Sequence, residues 1–375
     1  MELLQNLCKS GYVPIKPLVC TGGQIVLLLL MEFLSVSDES LGKAAAVIKN
    51  GGLAAFPTET VYGLGADAFN PAALAKIFEA KGRPRFDPLI IHIADVQTLK
   101  KIADLSLLSG AAQEKLSLLA ETLWPGPLTL ILPKQKAVPD LATSGLATVA
   151  VRFPAHPGAQ KLIALSGGAL AAPSANPFGY LSPTCAGHVR DQLGNKVDII
   201  LDGGGASVGV ESTVLDICGE RPRILRPGGV PREAIESLIG GCDTCVGVIG
   251  DSESGGQEEA MAAPGMLRSH YAPSAQLAVW TLEEILALPD TSDGNTAFLF
   301  FDCSARSAWQ AGKSRIYAVI RTLCEHGDLK EAAANLFKTL HELDKPGIAR
   351  INAQLAPEKG LGVAINDRLR RASLR

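Results

Sequence analysis

Apolar residues along the chain alternate between two spacings from Asp38 onward. Some segments repeat apolar residues every three or four positions, which predicts amphipathic helices, and short continuous apolar runs between them predict buried strands. The helical segments before residue 241 are residues 39–52, 70–82 and 231–240. The strand-like runs are residues 53–57, 89–94, 128–132, 148–153, 198–202 and 212–217. This alternation predicts an α/β domain over residues 37–240.

The ends of these helices carry local signals. Residues 70–82 begin with Asn70, whose side chain can cap a helix, and Pro71, whose fixed φ suits the first helical position. Gly82 follows as a stop, and residues 231–240 repeat the order of a proline at the start and a glycine at the end. The signals predict two helices with well-defined ends.

The composition changes after residue 240. Residues 241–274 are rich in Gly, Ser, Glu and Ala, which predicts a linker, but its last part, APGMLRSHYAPS, is too distinctive for a plain spacer. From residue 275 to residue 375 the apolar runs LAVW, TAFLFF and RIYAVI alternate with helical segments such as DLKEAAANLFKTLHEL. We therefore predict a second, smaller α/β domain over residues 275–375.

The two ends of the chain differ in composition from the segments between them. The run IVLLLLMEFL has only seven apolar residues before Glu32, too few to span a membrane. Residues 1–36 are therefore predicted to be outside the fold, and residues 1–30 are a real extension, a signal peptide or a misassigned start. The C-terminal NDRLRRASLR is basic, and we interpret it as a solvated helix end rather than a weak contact to RNA or another enzyme.

Composition and charge exclude several classes of protein. With 47% hydrophobic and 19% charged residues, the chain is globular rather than disordered. A net charge of −3 argues against nucleic-acid binding over the whole surface, so any anion site must be local. Eight scattered cysteines suit a reducing compartment, and Cys242 and Cys245 lack the second pair that zinc would need. We predict no metal ligands in the protein itself.

Candidate anion-binding residues follow a predicted helix. The sequence has no Walker-type phosphate loop, so the phosphates of any nucleotide must be held by side chains. Lys81, Arg83 and Arg85 occupy alternate positions next to two prolines, which suits a stiff clamp for a polyanion. A solvated basic turn at a helix C-terminus explains the same spacing equally well.

Polar residues also interrupt or end the predicted strands. Arg152, within TVAVRF, needs an anionic partner if it is buried, and that partner is either a structural carboxylate or a substrate. His92 shares a strand face with apolar residues, so the pattern alone favours a packed core residue. Hydroxyl, amide and guanidinium groups near strand ends are those of Ser174, Asn176, Ser182, Thr184, Ser212 and Arg226. Together they predict a small polyanionic ligand, such as a nucleotide with a second substrate.

The chain resembles the YrdC family over residues 40–240. The resemblance rests on seven stretches in order: FPTETVYGLGADA, KGRPRFDPLIIHI, LWPGPLTLIL, VAVRFPAHP, APSANPFGYLSPT, GVESTVLDI and RILRPGG. APGMLRSHYAP and the C-terminal domain resemble the two-domain members, the threonylcarbamoyl-AMP synthases. The resemblance implies a YrdC-like twisted mixed sheet with a large concave cleft over residues 37–240. It also implies a linker, residues 241–274, that reaches the active site, and a smaller Rossmann-like α/β domain.

The resemblance implies an activity as well. Family members condense L-threonine, bicarbonate or CO2, and ATP to threonylcarbamoyl-AMP and pyrophosphate, for threonylcarbamoyladenosine modification of tRNAs that decode ANN codons. A carbamate on the threonine amine would attack the α-phosphorus, which needs no protein nucleophile. The chain would be a cytoplasmic nucleotidyltransferase with Mg²⁺ on its ATP, a downstream threonylcarbamoyl transferase as partner and no membrane contact. The competing interpretation is a non-catalytic module that binds double-stranded RNA.

Particular residues receive roles from the resemblance. The catalytic pairs of the family match Lys81, Arg83, Ser174 and Asn176. The L-threonine contacts match Thr58, His92, Arg152 and Ser212. The ATP contacts match Lys81, Arg85, Thr148, Ser174, Ser182, Arg226 and Tyr271. Glu59, inside the first stretch, receives no role.

Overall fold

A computed structural model describes residues 31–244, 265–267, 270–289, 294–311, 313 and 319–374. Within these ranges the larger of two sheets has eleven strands. They are β1 Glu32–Ser35, β2 Ala54–Phe56, β3 Gly63–Asp67, β4 Ile90–Ile93, β5 Leu128–Pro133, β6 Thr148–Arg152, β7 Ala169–Ala171, β8 Ile199–Asp202, β9 Thr213–Asp216, β10 Arg223–Arg226 and β11 Asp243–Thr244. The smaller sheet contains β12 Gln276–Trp280, β13 Thr296–Phe300, β14 Val319–Thr322 and β15 Arg350–Gln354.

Helices cover both sheets. In the described part of the chain they are α1 Asp38–Lys49, α2 Pro71–Lys81, α3 Leu99–Ile102, α4 Gly110–Leu123, α5 Asp140–Thr143, α6 Pro157–Leu165, α7 Ala186–Leu193, α8 Arg232–Ile239, α9 Leu282–Ala287, α10 Cys303–Ala311, α11 Leu329–Leu343 and α12 Leu361–Ala372. The predicted ends of α2 are confirmed: Asn70 accepts hydrogen bonds from two backbone N–H groups, and Gly82 ends the helix with a φ of 61°. None of the described helices is long and apolar enough to cross a membrane.

The larger sheet is mixed. Its strand order is β1-β8-β2-β3-β7-β4-β6-β5-β9-β10-β11. Strand β4 is parallel to β6, β5 is antiparallel to β6, and β9 is parallel to β5. The C-terminal ends of β4 and β6 therefore lie at the same edge of the sheet as the first residues of β5 and β9. The predicted mixed sheet is confirmed.

The sheet extends beyond the boundaries that the sequence predicts. Strand β1 pairs with β8 in parallel, so residues 32–35 belong to the fold, and the prediction that residues 1–36 lie outside it is wrong for them. Leu34 is buried against α1, which explains why this short apolar run joins the sheet. At the other boundary β11 pairs with β10, so the sheet continues past residue 240 into the predicted linker. Residues 1–30 lie outside the described residues.

The second domain is a smaller parallel α/β unit, as predicted. Its strand order is β12-β15-β13-β14, and all of its pairs are parallel. The two domains share one apolar cluster, in which Leu181, Val210 and Tyr271 pack with residues of the second domain such as Phe337. Burial of apolar surface therefore holds the domains together.

The basic C-terminus differs from its predicted solvated state. It forms the last turns of α12, and Asp367, Arg368 and Leu369 are buried. Arg368 is only 1% exposed, because the helix packs against the larger domain. The interpretation of this segment as a solvated helix end is therefore wrong for these residues.

Candidate active site

A cavity lies at one edge of the larger sheet. Its wall combines residues on the strands β3, β4, β6 and β10 with loop residues that follow β2 and β7 or precede β9. Sequence-predicted residues that line it are Thr58, Arg83, His92, Arg152, Ser174, Ser212, Arg226 and Tyr271. The structure therefore brings together both the predicted threonine contacts and several of the predicted phosphate contacts.

Strand register places the polar residues of one wall side by side. His92 on β4 and Thr129 on β5 are the cross-strand partners of Arg152 at the end of β6. The Thr129 hydroxyl lies 2.7 Å from the hydroxyl of Ser212, the residue just before β9. The sheet itself thus fixes the spacing of His92, Arg152 and Ser212.

Arg152 is held by a buried carboxylate. Its Nη2 donates to Glu59 Oε1 at 2.5 Å, and its Nη1 donates to the Thr60 hydroxyl at 2.8 Å. Burial, the largest influence, works to raise the pKa of Glu59, but the charge of Arg152 together with the hydrogen bonds to this carboxylate outweighs it and lowers the pKa. The residue that received no role in the sequence is therefore the structural partner of Arg152. These contacts do not use all of the N–H donors of a guanidinium.

Thr58 organises the turn that follows β2. Its hydroxyl donates to Val61 O at 2.6 Å and accepts from the backbone N–H groups of Thr60 and Val61. A hydroxyl that bonds its own backbone fixes a turn. The threonines of the first stretch thus shape a rigid wall of the cavity.

His92 is buried and neutral. Burial first, and then the charge of Arg152, lower its pKa to about 3. Its Nδ1 lies 3.3 Å from Ile90 O, and because a carbonyl only accepts, this contact assigns the ring proton to Nδ1. Nε2 is therefore left as an acceptor. His92 is therefore buried, as its strand pattern predicts, and it also forms part of the cavity wall.

Cationic side chains line other parts of the cavity wall. Arg83 forms a buried ion pair with Asp87 at 2.9 Å. Arg226 donates from Nη2 to Ser212 O at 2.9 Å and to the Ser212 hydroxyl at 3.2 Å. With Arg152 these side chains make the cavity wall cationic in a chain whose net charge is −3. The positive potential is therefore local, as the sequence predicts.

Some predicted residues support the wall from behind. Lys81 is buried, and its Nζ donates to the backbone carbonyls of Ser174 and Asn176. Burial first, and then the charge of Arg83, lower the pKa of Lys81. The Asn176 side chain donates to two carbonyls of its own loop, and Ser182 donates to Glu211. Their contacts shape the loop that presents Ser174.

Besides Lys81 and Ser182, two further predicted ATP contacts do not line the cavity. Arg85 is exposed and is absent from the cavity wall. Thr148 begins β6, whereas Arg152 ends it, and a rise of about 3.3 Å per residue puts roughly 13 Å between them. The two assignments by resemblance therefore find no support in this arrangement.

Several wall residues carry no sequence-based assignment. Glu211, beside Ser212, accepts from Ser182 through Oε1 and from Arg368 through Oε2. His270 is buried, and burial, followed by the charge of Arg83, lowers its pKa. Its neighbour Tyr271 has a φ of 64°, which is strained for a tyrosine. Glu211 and His270 both lie inside stretches that resemble the family, GVESTVLDI and APGMLRSHYAP. That position is the sequence signal that could have pointed to them.

The described residues offer no protein site for magnesium. They contain no group of three or more His, Cys, Asp or Glu side chains with metal-site geometry. The carboxylate oxygens of Glu211, at the cavity wall, accept from Ser182 and Arg368, and the Asp87 carboxylate pairs with Arg83. Mg²⁺ prefers free carboxylates and phosphate oxygens. The residues present therefore do not fit a protein-held ion.

Comparisons with known proteins agree with this site. The family model described as "Telomere recombination", for Sua5, YciO and YrdC proteins, matches residues 46–228. The model described as "Threonylcarbamoyl-AMP synthase, C-terminal domain" matches residues 230–373. A threonylcarbamoyl-AMP synthase from Pyrococcus abyssi is 44% identical, over 88% of this chain and 93% of that protein. The chain belongs to the threonylcarbamoyl-AMP synthase family.

Further relatives of this threonylcarbamoyl-AMP synthase family extend the agreement. A threonylcarbamoyl-AMP synthase from Bacillus subtilis is 39% identical, over 91% of this chain and 94% of that protein. The crystal structure of Pyrococcus abyssi Sua5 complexed with L-threonine superposes with a TM-score of 0.78 at 40% identity, over 92% of this chain and 97% of that chain. The predicted family, fold and enzyme class are confirmed: the chain is a nucleotidyltransferase of tRNA modification that makes threonylcarbamoyl-AMP.

Proposed function

We propose that the cavity binds L-threonine along Thr58, His92, Arg152 and Ser212 and binds the phosphates of ATP at Arg83, Ser174 and Arg226. The contact that carries this division is the 3.2 Å hydrogen bond between Arg226 and the Ser212 hydroxyl. Reacting atoms must approach to about 3–3.5 Å before a bond can form. A threonine set and a phosphate set that touch each other would place the two substrates side by side, as that approach needs.

The threonine carboxylate would bind Arg152. Glu59 and Thr60 hold the Arg152 guanidinium in one orientation. This orientation also fixes the direction of the N–H donors that these two contacts do not use. A preorganised guanidinium loses little entropy when it binds a carboxylate. Glu59 therefore acts as the support of a substrate-binding residue.

The threonine amine must lose a proton before it reacts with CO2. A neutral His92 does not repel the ammonium form, and its Nε2 acceptor suits a hydrogen bond to that group. The resulting carbamate oxygen attacks the α-phosphorus and pyrophosphate leaves. The cationic wall offsets the repulsion between carbamate and triphosphate, which is positional and electrostatic catalysis.

Magnesium, the product and the cellular site follow from the same proposal. Mg²⁺ would enter as part of the substrate Mg–ATP, since Glu211, the carboxylate in the cavity lining, already accepts from Ser182 and Arg368. The product would pass to a threonylcarbamoyl transferase acting on tRNA in the cytoplasm, where the free thiols of the described cysteines stay reduced. Direct tRNA contact through the basic C-terminus gains no support, because Arg370 and Arg371 pair with carboxylates.

The test is pyrophosphate release from ATP and bicarbonate as a function of L-threonine concentration. Arg152→Ala should raise the threonine KM, whereas Arg226→Ala should raise the ATP KM. Ser212→Ala, at the junction of the two sets, should affect both. A folded protein that releases no pyrophosphate in response to threonine, yet binds double-stranded RNA with steep salt dependence, would overturn the proposal in favour of an RNA-binding module.

A further inference from the structure

The second domain inserts one arginine into the catalytic domain. Arg368 on α12 is 1% exposed, although it lies near the C-terminus of the chain. Its Nε donates to Glu211 Oε2 at 2.7 Å, and its Nη1 donates to Pro227 O at 2.9 Å and to Asp367 Oδ2 at 2.6 Å. Glu211 and Pro227 both belong to the catalytic domain, so the contact crosses the domain boundary.

Glu211 links this arginine to the cavity. Its Oε1 accepts from the Ser182 hydroxyl at 2.5 Å, and it directly precedes Ser212. Glu211 lines the cavity and is 6% exposed. A carboxylate with so little access to water needs a cation, because an unpaired buried charge costs several kcal/mol.

The charges of two arginines act on this carboxylate. Burial is the largest influence and works to raise the pKa of Glu211, but the charges of Arg368 and Arg226, together with the hydrogen bonds from Ser182 and Arg368, outweigh it and lower the pKa. Arg368 takes the direct contact, while Arg226 donates to the backbone and hydroxyl of Ser212. If Arg368 were absent, Arg226 would be the cation left to compensate Glu211.

The same helix also fixes the segment that enters the cavity. Arg371 Nη1 donates to Met266 O at 3.1 Å and to Leu267 O at 2.6 Å. The Arg368 guanidinium lies 5.1 Å from the centre of the Tyr271 ring. Docking of α12 therefore sets the carboxylate and the tyrosine at one side of the cavity.

We propose that Arg368 is a positioning residue for the reaction, supplied by the second domain: it holds Glu211 so that this carboxylate does not draw Arg226 away from Ser212. The proposal rests on the proposed function of Arg226 as a phosphate contact. It gives the second domain a defined part in ATP binding, since no residue of the catalytic domain makes this contact to Oε2 among the described residues.

The experiment measures ATP binding by calorimetry and pyrophosphate release by the full chain. Arg368→Gln should weaken ATP binding and raise the ATP KM about tenfold, the effect of weakening one charge-assisted contact. The threonine KM should stay within about twofold, since Arg152 is held by other residues. Arg370→Gln on the same helix is the matched control, because Arg370 is exposed and pairs only with Glu358 among the described side chains.

A double variant separates positioning from a structural role. The Arg368→Gln/Glu211→Gln double variant should recover ATP binding, because it removes the charge that would otherwise attract Arg226. Thermal unfolding confirms that each variant is folded, and Arg368→Lys should give an intermediate ATP affinity.

The outcomes distinguish this proposal from the proposed function. A wild type without threonine-dependent pyrophosphate release would overturn the proposed function, and the calorimetric ATP affinities would still test Arg368. Unchanged ATP affinity in Arg368→Gln overturns the positioning role. Equal losses for ATP and threonine, with no recovery in the double variant, would identify a purely structural role and also overturn it.

Discussion

Glu59 Oε1 lies 2.5 Å from Arg152 Nη2, and both side chains are at least nine-tenths buried. This pair joins the turn after β2 to the end of β6, across a long stretch of sequence. It explains how an arginine can be kept at the end of a buried strand before substrate arrives. Because each charge compensates the other, removing one side chain leaves the other charge buried without a partner.

Glu59→Gln should therefore lower the free energy of unfolding by about 3 kcal/mol, since it leaves a buried arginine without an anion. Urea denaturation measures this loss. The threonine KM should rise as well, because Arg152 is no longer oriented. The Glu59→Gln/Arg152→Met variant should regain much of the stability without regaining activity. Unchanged stability and threonine KM in Glu59→Gln would show that the pair is dispensable.

A stacked histidine pair should make the domain boundary sensitive to acid. His188 on α7 lies 3.8 Å, ring centre to ring centre, from His341 on α11. Burial first, and then His341, lower the pKa of His188 from 6.5 to about 4. A pKa that is depressed in the folded state adds stability above the unfolded value, which is lost as pH falls through the folded value.

The expected result is a falling free energy of unfolding between pH 6.5 and about pH 4. Urea denaturation over a pH series measures it, and His188→Gln should flatten the curve in that window. His326→Gln serves as the control, because His326 is 86% exposed at its side chain. Curves of equal slope for the wild type and His188→Gln would contradict the assignment.

Arg83 and Arg85 provide a matched pair of cations. Arg83 lines the cavity and Arg85 is exposed outside it. Arg83→Gln should lower kcat/KM for ATP by about 100-fold, the size expected for one transition-state contact. Arg85→Gln should change it less than about threefold, like most exposed charges. A comparable loss in Arg85→Gln would mean that Arg85 contacts ATP, as the resemblance implies.

Gly228 should tolerate no side chain. A Cβ there would lie 2.4 Å from Glu211 O and 2.4 Å from Thr213 N, which are backbone atoms on either side of Ser212. Gly228→Ala should destabilise the fold by about 2 kcal/mol and raise both substrate KM values. Gly110→Ala, at a position with nothing within 4 Å of the added carbon, should leave both properties unchanged. A fully active, stable Gly228→Ala variant would disprove the tight contact.

The parts of the structure that could be predicted are those that depend on residues close together in the sequence. Helix α2 was predicted with its ends, because Asn70, Pro71 and Gly82 act within a few residues of the helix. The strand ends that form the cavity were predicted from apolar runs and the polar residues beside them. Thr148 shows the limit of that approach, since being in the correct strand does not say which end faces the ligand.

Pairing between distant residues gave no local signal. Arg368 and Glu211 are 157 positions apart, and a basic C-terminal helix is more often solvated than inserted into another domain. Arg152 and Glu59 are 93 positions apart, so the sequence showed that a partner was needed but not which one. Strand β1 was missed because four residues with one fully buried side chain carry too weak a pattern.

The apolar cluster between the domains has a consequence for evolution by domain loss. Leu181 and Val210 are buried, and both pack in the cluster formed with the second domain. A gene shortened to the catalytic unit would expose these side chains to water and favour self-association. Lineages that carry a shorter version should therefore have replaced them with polar residues, which makes these two positions a record of how the second domain was gained or lost.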